Sequence, residues 1–161
     1  VLTDSKKLTA RKRDQLYDEI TNNSAIIWES AQASVAEIDS INILKATHLA
    51  MRRAAESLTQ KADAVLIDGL PVPEFPIHQQ ALVKGDSISL SIAAASIIAK
   101  VERDRLMLQL AEKFPNYGFE KHKGYGTKYH LAQLEKHGPC EIHRRSFRPV
   151  AQLALSFDKN G

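Results

Sequence analysis

Apolar residues spaced three and four positions apart predict a series of helices along this chain. Thr9 can cap a first helix that runs through Ile20. Asp39 or Ser40 can cap a long second helix, in which apolar residues recur at helical spacing over residues 43–58. Further helices are predicted at residues 91–113, 128–136 and 148–157.

Short apolar runs bounded by turn residues predict strands between these helices, at residues 25–34, 64–67 and 80–83. The three prolines within residues 70–76 exclude regular structure there and predict a loop. Strands that alternate with helices are typical of an α/β fold, a mixed sheet with helices on its faces. Because the chain shows no internal repeat and no linker, we expect a single domain over residues 1–161.

Composition narrows the class of protein more than it indicates a function. The 161 residues are 43% hydrophobic and 25% charged, as expected of a globular domain with its own core. The longest apolar run, residues 92–99, is too short to span a bilayer. The single cysteine, Cys140, cannot form an internal disulfide, which fits a reducing, cytoplasmic location. A net charge of +3 is a weak argument for nucleic acid, so any binding surface requires local clusters of cations.

Two aspartates stand directly after predicted strands. Asp68 follows the apolar run at 64–67, and Asp86 follows the run at 80–83 after a lysine and a glycine. Ligand sites in open α/β sheets lie beyond the carboxyl ends of the strands. Each acid taken alone is more simply an ordinary turn residue. Together, the two carboxylates are suited to a hard cation such as Mg²⁺ or Mn²⁺.

Two acids are too few for a site that cleaves phosphodiesters with two metal ions. Asp104 is a candidate for a third ligand, although the mixed charges of residues 102–105 fit a solvated helix face equally well. The alanines at 93–95 form a packing feature, because small side chains let a helix approach its neighbour closely. None of the six histidines forms a zinc pattern with Cys140, so we expect no structural zinc site.

A cationic segment with one aromatic ring predicts a contact with nucleic acid. Tyr125 lies between two glycines, and the cations around it are Lys121, His122, Lys123, Lys128 and His130. Cations neutralise phosphates, and a ring on a flexible loop can stack on a base or sugar. A solvated charge run around a half-buried tyrosine is an equally good interpretation. The basic cluster at residues 143–146 and the segment 4–7 are further candidates for phosphate contacts.

Together these segments resemble the bacterial ribonuclease HII family, the type 2 ribonucleases H that nick duplex DNA beside an embedded ribonucleotide. The collinear motifs are Asp4-Ser5-Lys6-Lys7-Leu8, Glu37-Ile38-Asp39, Asn42-Ile43-Leu44, Ala50-Met51, Leu66-Ile67-Asp68-Gly69, Lys84-Gly85-Asp86, residues 93–100, Arg103-Asp104, Tyr117-Gly118-Phe119, residues 123–127 and residues 143–147. The related ribonuclease HIII type lacks the tyrosine of the 123–127 loop, so Tyr125 favours type HII.

The resemblance implies a ribonuclease H-like α/β fold, a mixed sheet with flanking helices and a helical C-terminal part. It implies an endoribonuclease that cleaves the RNA of RNA–DNA hybrids and nicks 5′ of ribonucleotides in duplex DNA by two-metal-ion hydrolysis. Asp68 and Asp86 then match two of the family's four metal-binding carboxylates, and Tyr125 matches the ring that stacks on the sugar at the RNA–DNA junction. Further implied substrate contacts are Lys6, Lys7, Lys84, Ser91, Lys123, Arg144 and Arg145.

The chain departs from the family pattern in one respect. The other two carboxylates, an adjacent Asp-Glu within a Gly-x-Asp-Glu-x-Gly-Arg-Gly loop, have no match in this sequence, which begins with Val1. We therefore expect a fragment without its first strands, without half of its metal site and without the loop that reads the ribose 2′-hydroxyl. The competing hypothesis is a chain that binds nucleic acid without cleaving it.

The C-terminal residues allow one more hypothesis. Gln152, Leu153, Leu155 and Phe157 resemble the short peptide by which bacterial proteins dock into the replication sliding clamp. Exposed Leu and Phe anchors suit such a groove. The simpler interpretation, which we prefer, is a terminal helix whose apolar residues cover the core.

Overall fold

The structure of the protein, a computed structural model, describes the backbone of residues 8–157 and the side chains of residues 8–153. Along this range the elements are α1 (Ala10–Thr21), α2 (Val35–Ile41), α3 (Ile43–Ser57), β1 (Ala64–Asp68), β2 (His78–Leu82), α4 (Leu90–Lys113), α5 (Phe119–His122), α6 (Lys128–His137) and α7 (Arg148–Phe157).

Chain contacts divide the protein into two compact units. The first comprises Val1–Gln32 and His48–Arg103, and the second comprises Ala33–Thr47 and Asp104–Gly161. Each unit has its own hydrophobic cluster, so each is described by itself. The single domain expected over residues 1–161 stays a prediction.

The core of the first unit is formed by α1 and the first half of α4. Its buried residues are Tyr17, Ile20, Ile97, Ile98 and Val101. Thr9 begins α1 as predicted, because its side-chain oxygen accepts a hydrogen bond from the backbone N–H of Lys12 at 3.3 Å. Leu8 and Leu16 pack against the same cluster.

The predicted strands at 64–67 and 80–83 form a parallel pair in the first unit, with Asp68 opposite Leu82. The proline-rich loop between them is tied to the sheet by Gln79. The side chain of Gln79 donates to the carbonyl of Val72 at 2.7 Å and accepts from its N–H at 2.8 Å. Val72 is also buried. The loop returns the chain to the start of β2, which pairs with β1.

The connection from β2 into α4 requires a close approach of the backbone. Lys84 adopts a left-handed conformation, with φ 57°, and residues 85–87 form a short 3₁₀ turn before the helix begins. A Cβ atom added at Gly85 would lie 2.5 Å from Cδ1 of Ile92 and 3.3 Å from Cβ of Leu82. Glycine therefore lets the turn pack directly on the first turn of α4, which positions Asp86.

The strand predicted at residues 25–34 is wrong. The structure places no helix or strand there, and Ile26 and Ile27 are exposed. Trp28 is held by packing instead, since its ring meets Tyr17 edge-on at a centroid distance of 6.0 Å. A run of apolar residues becomes a strand only where a neighbouring strand pairs with it, and the described residues provide no such partner.

The predicted cap at Asp39 or Ser40 is also wrong, because both residues lie inside α2, whose N-cap is Ser34. The Ser34 hydroxyl accepts from the N–H of Glu37 at 3.2 Å, and the Glu37 carboxylate accepts from the N–H of Ser34 at 2.8 Å. Asn42, with φ 70°, then interrupts the helix and accepts from the N–H of Lys45 as α3 begins.

The second unit packs its helices around an aromatic cluster. Tyr117, Phe119, Leu134 and Val150 are buried there, and Leu153 of α7 packs against them. The structure confirms the predicted helices at 91–113, 128–136 and 148–157, with shifts of one residue at some ends. Of the helices in the described part of the chain, none is long and apolar enough to cross a membrane.

Replacement of Ser34 by alanine is expected to lower the free energy of unfolding by about 1 kcal/mol, because the capping box is lost. Ser40→Ala is the matched control, since Ser40 lies exposed inside the same helix and its loss is expected to cost less than about 0.5 kcal/mol. Urea unfolding followed by circular dichroism measures both. A larger loss for Ser40→Ala would contradict a helix start at Ser34.

Candidate functional site

Asp68 and Asp86, here called the acidic strand end, lie at the same edge of the parallel sheet. Asp68 is the last residue of β1, and Asp86 follows β2 within the 3₁₀ turn. The backbone N–H of Gly85 donates to Oδ1 of Asp68 at 2.8 Å. This bond joins one carboxylate to the residue that immediately precedes the other. The structure thus brings the two predicted acids to adjacent positions.

Both carboxylates of the acidic strand end are accessible. Asp68 is exposed and Asp86 is partly exposed, so a ligand can reach them without a change in fold. Oδ1 of Asp68 accepts the hydrogen bond from the N–H of Gly85. Two accessible carboxylates form the oxygen donor set that Mg²⁺ and Mn²⁺ prefer. Within the described residues, no group of three or more His, Cys, Asp or Glu side chains is arranged to hold a metal ion.

The other residues predicted near these acids occupy different positions. Lys84 is exposed at the turn between β2 and Asp86, and Ser91 is exposed in the first turn of α4. Asp104 lies on α4, in the part of that helix that belongs to the second unit. Lys6 and Lys7 lie outside the described residues.

Residues 123–127, here called the Tyr125 loop, connect α5 to α6 in the second unit. Tyr125 is 58% exposed, while its backbone is hydrogen-bonded on both sides. Its N–H donates to the carbonyl of His122 at 2.9 Å, and its carbonyl accepts from the N–H of Thr127 at 2.8 Å. The Thr127 hydroxyl caps α6 by accepting from the N–H of His130. The loop thus presents an accessible ring on an ordered backbone.

Three buried histidines lie beneath the Tyr125 loop, and the sequence analysis missed their arrangement. His122, His130 and His143 are each less than 9% exposed. The rings of His122 and His130 stack at a centroid distance of 4.4 Å. Nε2 of His130 lies 3.0 Å from Nε2 of His143. The sequence interpretation of His122 and His130 as cations around Tyr125 is wrong, because burial removes them from any phosphate.

Burial also sets the charge state of two of these rings, His130 and His143. It lowers the pKa of His143 from 6.5 to about 4, and the neighbouring His130 contributes in the same direction. Burial likewise lowers the pKa of His130, against the opposing effect of its hydrogen bond to Tyr125. Both imidazoles are therefore neutral at pH 7. A sequence signal exists in the four histidines within residues 122–143, but it does not separate the three buried rings from the exposed His137.

The basic cluster at residues 143–146 is anchored by Asp39. The Asp39 carboxylate accepts from the N–H of Arg145 at 2.8 Å, from the N–H of Ser146 at 2.9 Å and from the Ser146 hydroxyl. These bonds lower the pKa of Asp39, and the bond from the Ser146 hydroxyl has the largest effect. Arg145 is exposed, and the guanidinium of Arg144 lies 5.7 Å from the centre of the Phe147 ring. Asp39 thus orders this segment rather than capping a helix.

The remaining predicted contacts lie in the second unit. Lys123 ends α5 in a left-handed conformation, and its Nζ donates to the carbonyl of Glu120 at 2.7 Å. In α7, Gln152 is exposed while Leu153 packs against the aromatic cluster, in agreement with the simpler interpretation of the tail. The side chains of Leu155 and Phe157 lie outside the described residues.

The comparison with protein families matches the family described as ribonuclease HII over residues 1–150. Ribonuclease HII of Paraburkholderia xenovorans strain LB400 is 54% identical over 154 residues, which are 96% of this chain and 62% of that protein. Ribonuclease HII of Delftia acidovorans is 55% identical over 152 residues, which are 94% of this chain and 64% of that protein. The chain therefore spans a little under two thirds of the length of these two relatives.

A solved structure confirms the predicted fold class. The crystal structure of the ribonuclease H2 from Pyrococcus horikoshii OT3 superposes with a TM-score of 0.78, covering 98% of this chain and 82% of that one. The sequence identity is 24%, so this likeness concerns the fold alone.

The buried His143 is expected to make stability depend on pH. Its pKa is lowered in the folded state, so the unfolded chain takes up the proton first as the pH falls. Its contribution is fully present above pH 6.5 and is lost as the pH falls from there towards the folded pKa of about 4. We expect a loss of roughly 2 kcal/mol between about pH 7 and pH 5.

Thermal unfolding at several pH values checks this dependence. His143→Phe keeps a buried ring without the titration and should flatten the curve in that window. His137→Phe, which removes an exposed imidazole from α6, is the control and should leave the curve unchanged. An unaltered slope in His143→Phe would contradict a buried neutral imidazole at this position.

Proposed function

Because the chain belongs to the ribonuclease HII family, we propose that it acts in an endoribonuclease that cleaves the RNA of RNA–DNA hybrids and nicks duplex DNA 5′ of embedded ribonucleotides. The observation that supports this most strongly is the acidic strand end. Asp68 and Asp86 are accessible, adjacent, and placed where ligands bind in sheets of this class. The relatives of high identity carry the same family name.

Asp68 and Asp86 are the residues that would hold Mg²⁺ or Mn²⁺ in this proposal, because both present carboxylate oxygens to solvent. A bound divalent ion lowers the pKa of water and neutralises the charge that develops on a phosphodiester in hydrolysis. The proposed products carry a 3′-hydroxyl and a 5′-phosphate. The bond from Gly85 to Asp68 orients one carboxylate before any ligand arrives, which lowers the entropy cost of binding.

The remaining cationic and aromatic residues are assigned to substrate binding. Lys84 and Ser91 are exposed within the segments that flank Asp86, where they are suited to a phosphate of the cleaved strand. In the second unit, Arg144, Arg145 and Lys123 are assigned to the duplex backbone. Tyr125 is assigned to the sugar at the RNA–DNA junction, because its ring is exposed on an ordered loop. Lys6 and Lys7 are proposed as further phosphate contacts from the family resemblance alone.

We place this activity in the cytoplasm, in ribonucleotide excision repair and DNA replication, which are the processes that a ribonucleotide-specific nick serves. The replication sliding clamp is a further proposed partner through residues 152–157. Gln152 is available for that contact, but Leu153 would have to leave the aromatic cluster of the second unit. Binding of nucleic acid without cleavage is the alternative function, and it is favoured by a described metal-ligand set of only two acids.

Asp68→Asn in the full-length gene product is expected to lower kcat/KM by at least about 100-fold, because a metal-ligand oxygen is replaced by a weakly binding amide. Asp63→Asn is the matched control, since Asp63 is an exposed acid just before β1 with the same change of charge. Cleavage of a duplex that contains one ribonucleotide, assayed with Mg²⁺ and with Mn²⁺, measures both. Retained activity in Asp68→Asn would rule out the ligand role, and binding without cleavage by the unaltered protein would favour the alternative function.

The role of Tyr125 is tested by two substitutions. Tyr125→Phe keeps the aromatic face and should leave KM within about twofold, whereas Tyr125→Ala removes stacking and should raise KM roughly tenfold. Steady-state cleavage of the same duplex gives both values. A raised KM in Tyr125→Phe equal to that in Tyr125→Ala would show that the hydroxyl rather than the ring face makes the contact.

A further inference from the structure

The buried histidines form a continuous chain of hydrogen bonds that ends on the Tyr125 backbone. The N–H of Cys140 lies 3.0 Å from Nδ1 of His143, and Nε2 of His143 lies 3.0 Å from Nε2 of His130. Nδ1 of His130 lies 2.9 Å from the carbonyl oxygen of Tyr125. Both ring nitrogens of each of these two histidines thereby take part in the chain of hydrogen bonds.

The groups at the two ends fix the direction of every bond. A backbone N–H can only donate and a carbonyl can only accept. Nδ1 of His143 must therefore accept from Cys140, so its proton lies on Nε2, which donates to Nε2 of His130. The proton of His130 then lies on Nδ1 and is donated to the carbonyl of Tyr125. The thiol of Cys140, 3.0 Å from Nδ1 of His143, fits the same direction as a weak donor.

A hydrogen bond to His122 holds Gly124, the residue before Tyr125. Nε2 of His122 lies 2.8 Å from the carbonyl of Tyr117, which requires the proton on that nitrogen. Its Nδ1 then accepts from the N–H of Gly124 at 3.2 Å. His122 stacks face to face on His130, so the ring that bonds to Gly124 also packs against the ring that bonds to Tyr125. The bonds of His130 and His143 require neutral imidazoles, which agrees with the lowered pKa of both rings.

The Tyr125 loop needs hydrogen bonds from residues outside the loop to fix its backbone conformation. Glycines on both sides of Tyr125 allow many backbone conformations, and Gly124 adopts φ 80°. An aromatic contact with nucleic acid is strong only if the ring is already placed when the ligand arrives. The backbone bonds from the histidine cluster provide that order while leaving the ring exposed.

We propose that His143 and His130 form a directional hydrogen-bond relay from the backbone of Cys140 to the carbonyl of Tyr125, and that the relay holds Tyr125 in position for nucleic acid. Its link to substrate rests on the proposed function of Tyr125. His130 and His143 are then positioning residues that act through Tyr125. Neither contacts the reacting atoms, and their effect is on KM rather than on kcat.

The direction of the relay is testable without any activity. Long-range ¹H–¹⁵N NMR of the full chain with ¹⁵N-labelled histidine distinguishes the two neutral tautomers from the imidazolium. At neutral pH we expect the proton of His130 on Nδ1, and those of His122 and His143 on Nε2. A His130 proton on Nε2, or an imidazolium at His130 or His143, would overturn the relay.

The link to Tyr125 is tested by a double-mutant cycle on cleavage of the ribonucleotide-containing duplex. His130→Phe keeps a ring without the donor and should raise KM roughly fivefold with little change in kcat. His130→Asn places an amide N–H near the Nδ1 position and should restore most of that loss. His137→Asn, an exposed change on the same helix, is the control and should have no effect.

The outcome in the Tyr125→Ala background decides the assignment. If His130 acts through Tyr125, His130→Phe should change KM no further once the ring is gone. An undiminished fivefold effect in that background would overturn the relay as a positioning device while leaving the role of Tyr125 intact. If Tyr125→Ala alone has no effect on KM, the proposed role of Tyr125 fails and the inference fails with it. Thermal unfolding of each variant identifies any that is not folded, and the tautomer measurement on the unaltered protein still tests the relay.

Discussion

The parallel pairing of β1 with β2 is the constraint on which the candidate site depends. Because both strands run in the same direction, their carboxyl ends meet at one edge, and the residues that follow them are brought together. The N–H of Gly85 closes this arrangement by donating to Asp68. The absence of a side chain at Gly85 allows the turn to pack on Ile92, so Asp86 is positioned by backbone packing. The acidic strand end is thus a consequence of sheet geometry rather than of contacts between the two acids.

The sequence predicted the elements whose signals are local. Thr9 lies beside the helix that it caps, and the apolar run before Asp68 lies between clear turn residues, so both were identified correctly. The segment at 25–34 was misassigned because strand formation depends on a partner elsewhere in the chain. Asp39 was misassigned because the donors to its carboxylate lie more than 100 residues away, at Arg145 and Ser146. A helix cap and a tertiary anchor look the same when only neighbouring residues are considered.

The histidines show that functional residues, too, cannot be identified from neighbouring residues alone. Their spacing beside lysines and arginines indicates a cationic surface, and Lys121 and Arg145 are exposed. Burial reverses the interpretation for His122, His130 and His143, whose hydrogen bonds to backbone groups require neutral rings. The second unit therefore combines an exposed aromatic ring with a buried polar support. Buried polar groups are stable in such an arrangement only when every donor and acceptor has a partner.

The proposed function requires that Asp68 and Asp86 together bind a divalent ion. The most direct test is a crystal of the full-length gene product grown with an RNA–DNA hybrid and soaked in Mn²⁺, with anomalous scattering used to locate the metal. We expect an anomalous peak within about 2.5 Å of oxygens from both carboxylates. A peak bound by other residues only, or no peak at the acidic strand end when the hybrid is in place, would contradict it.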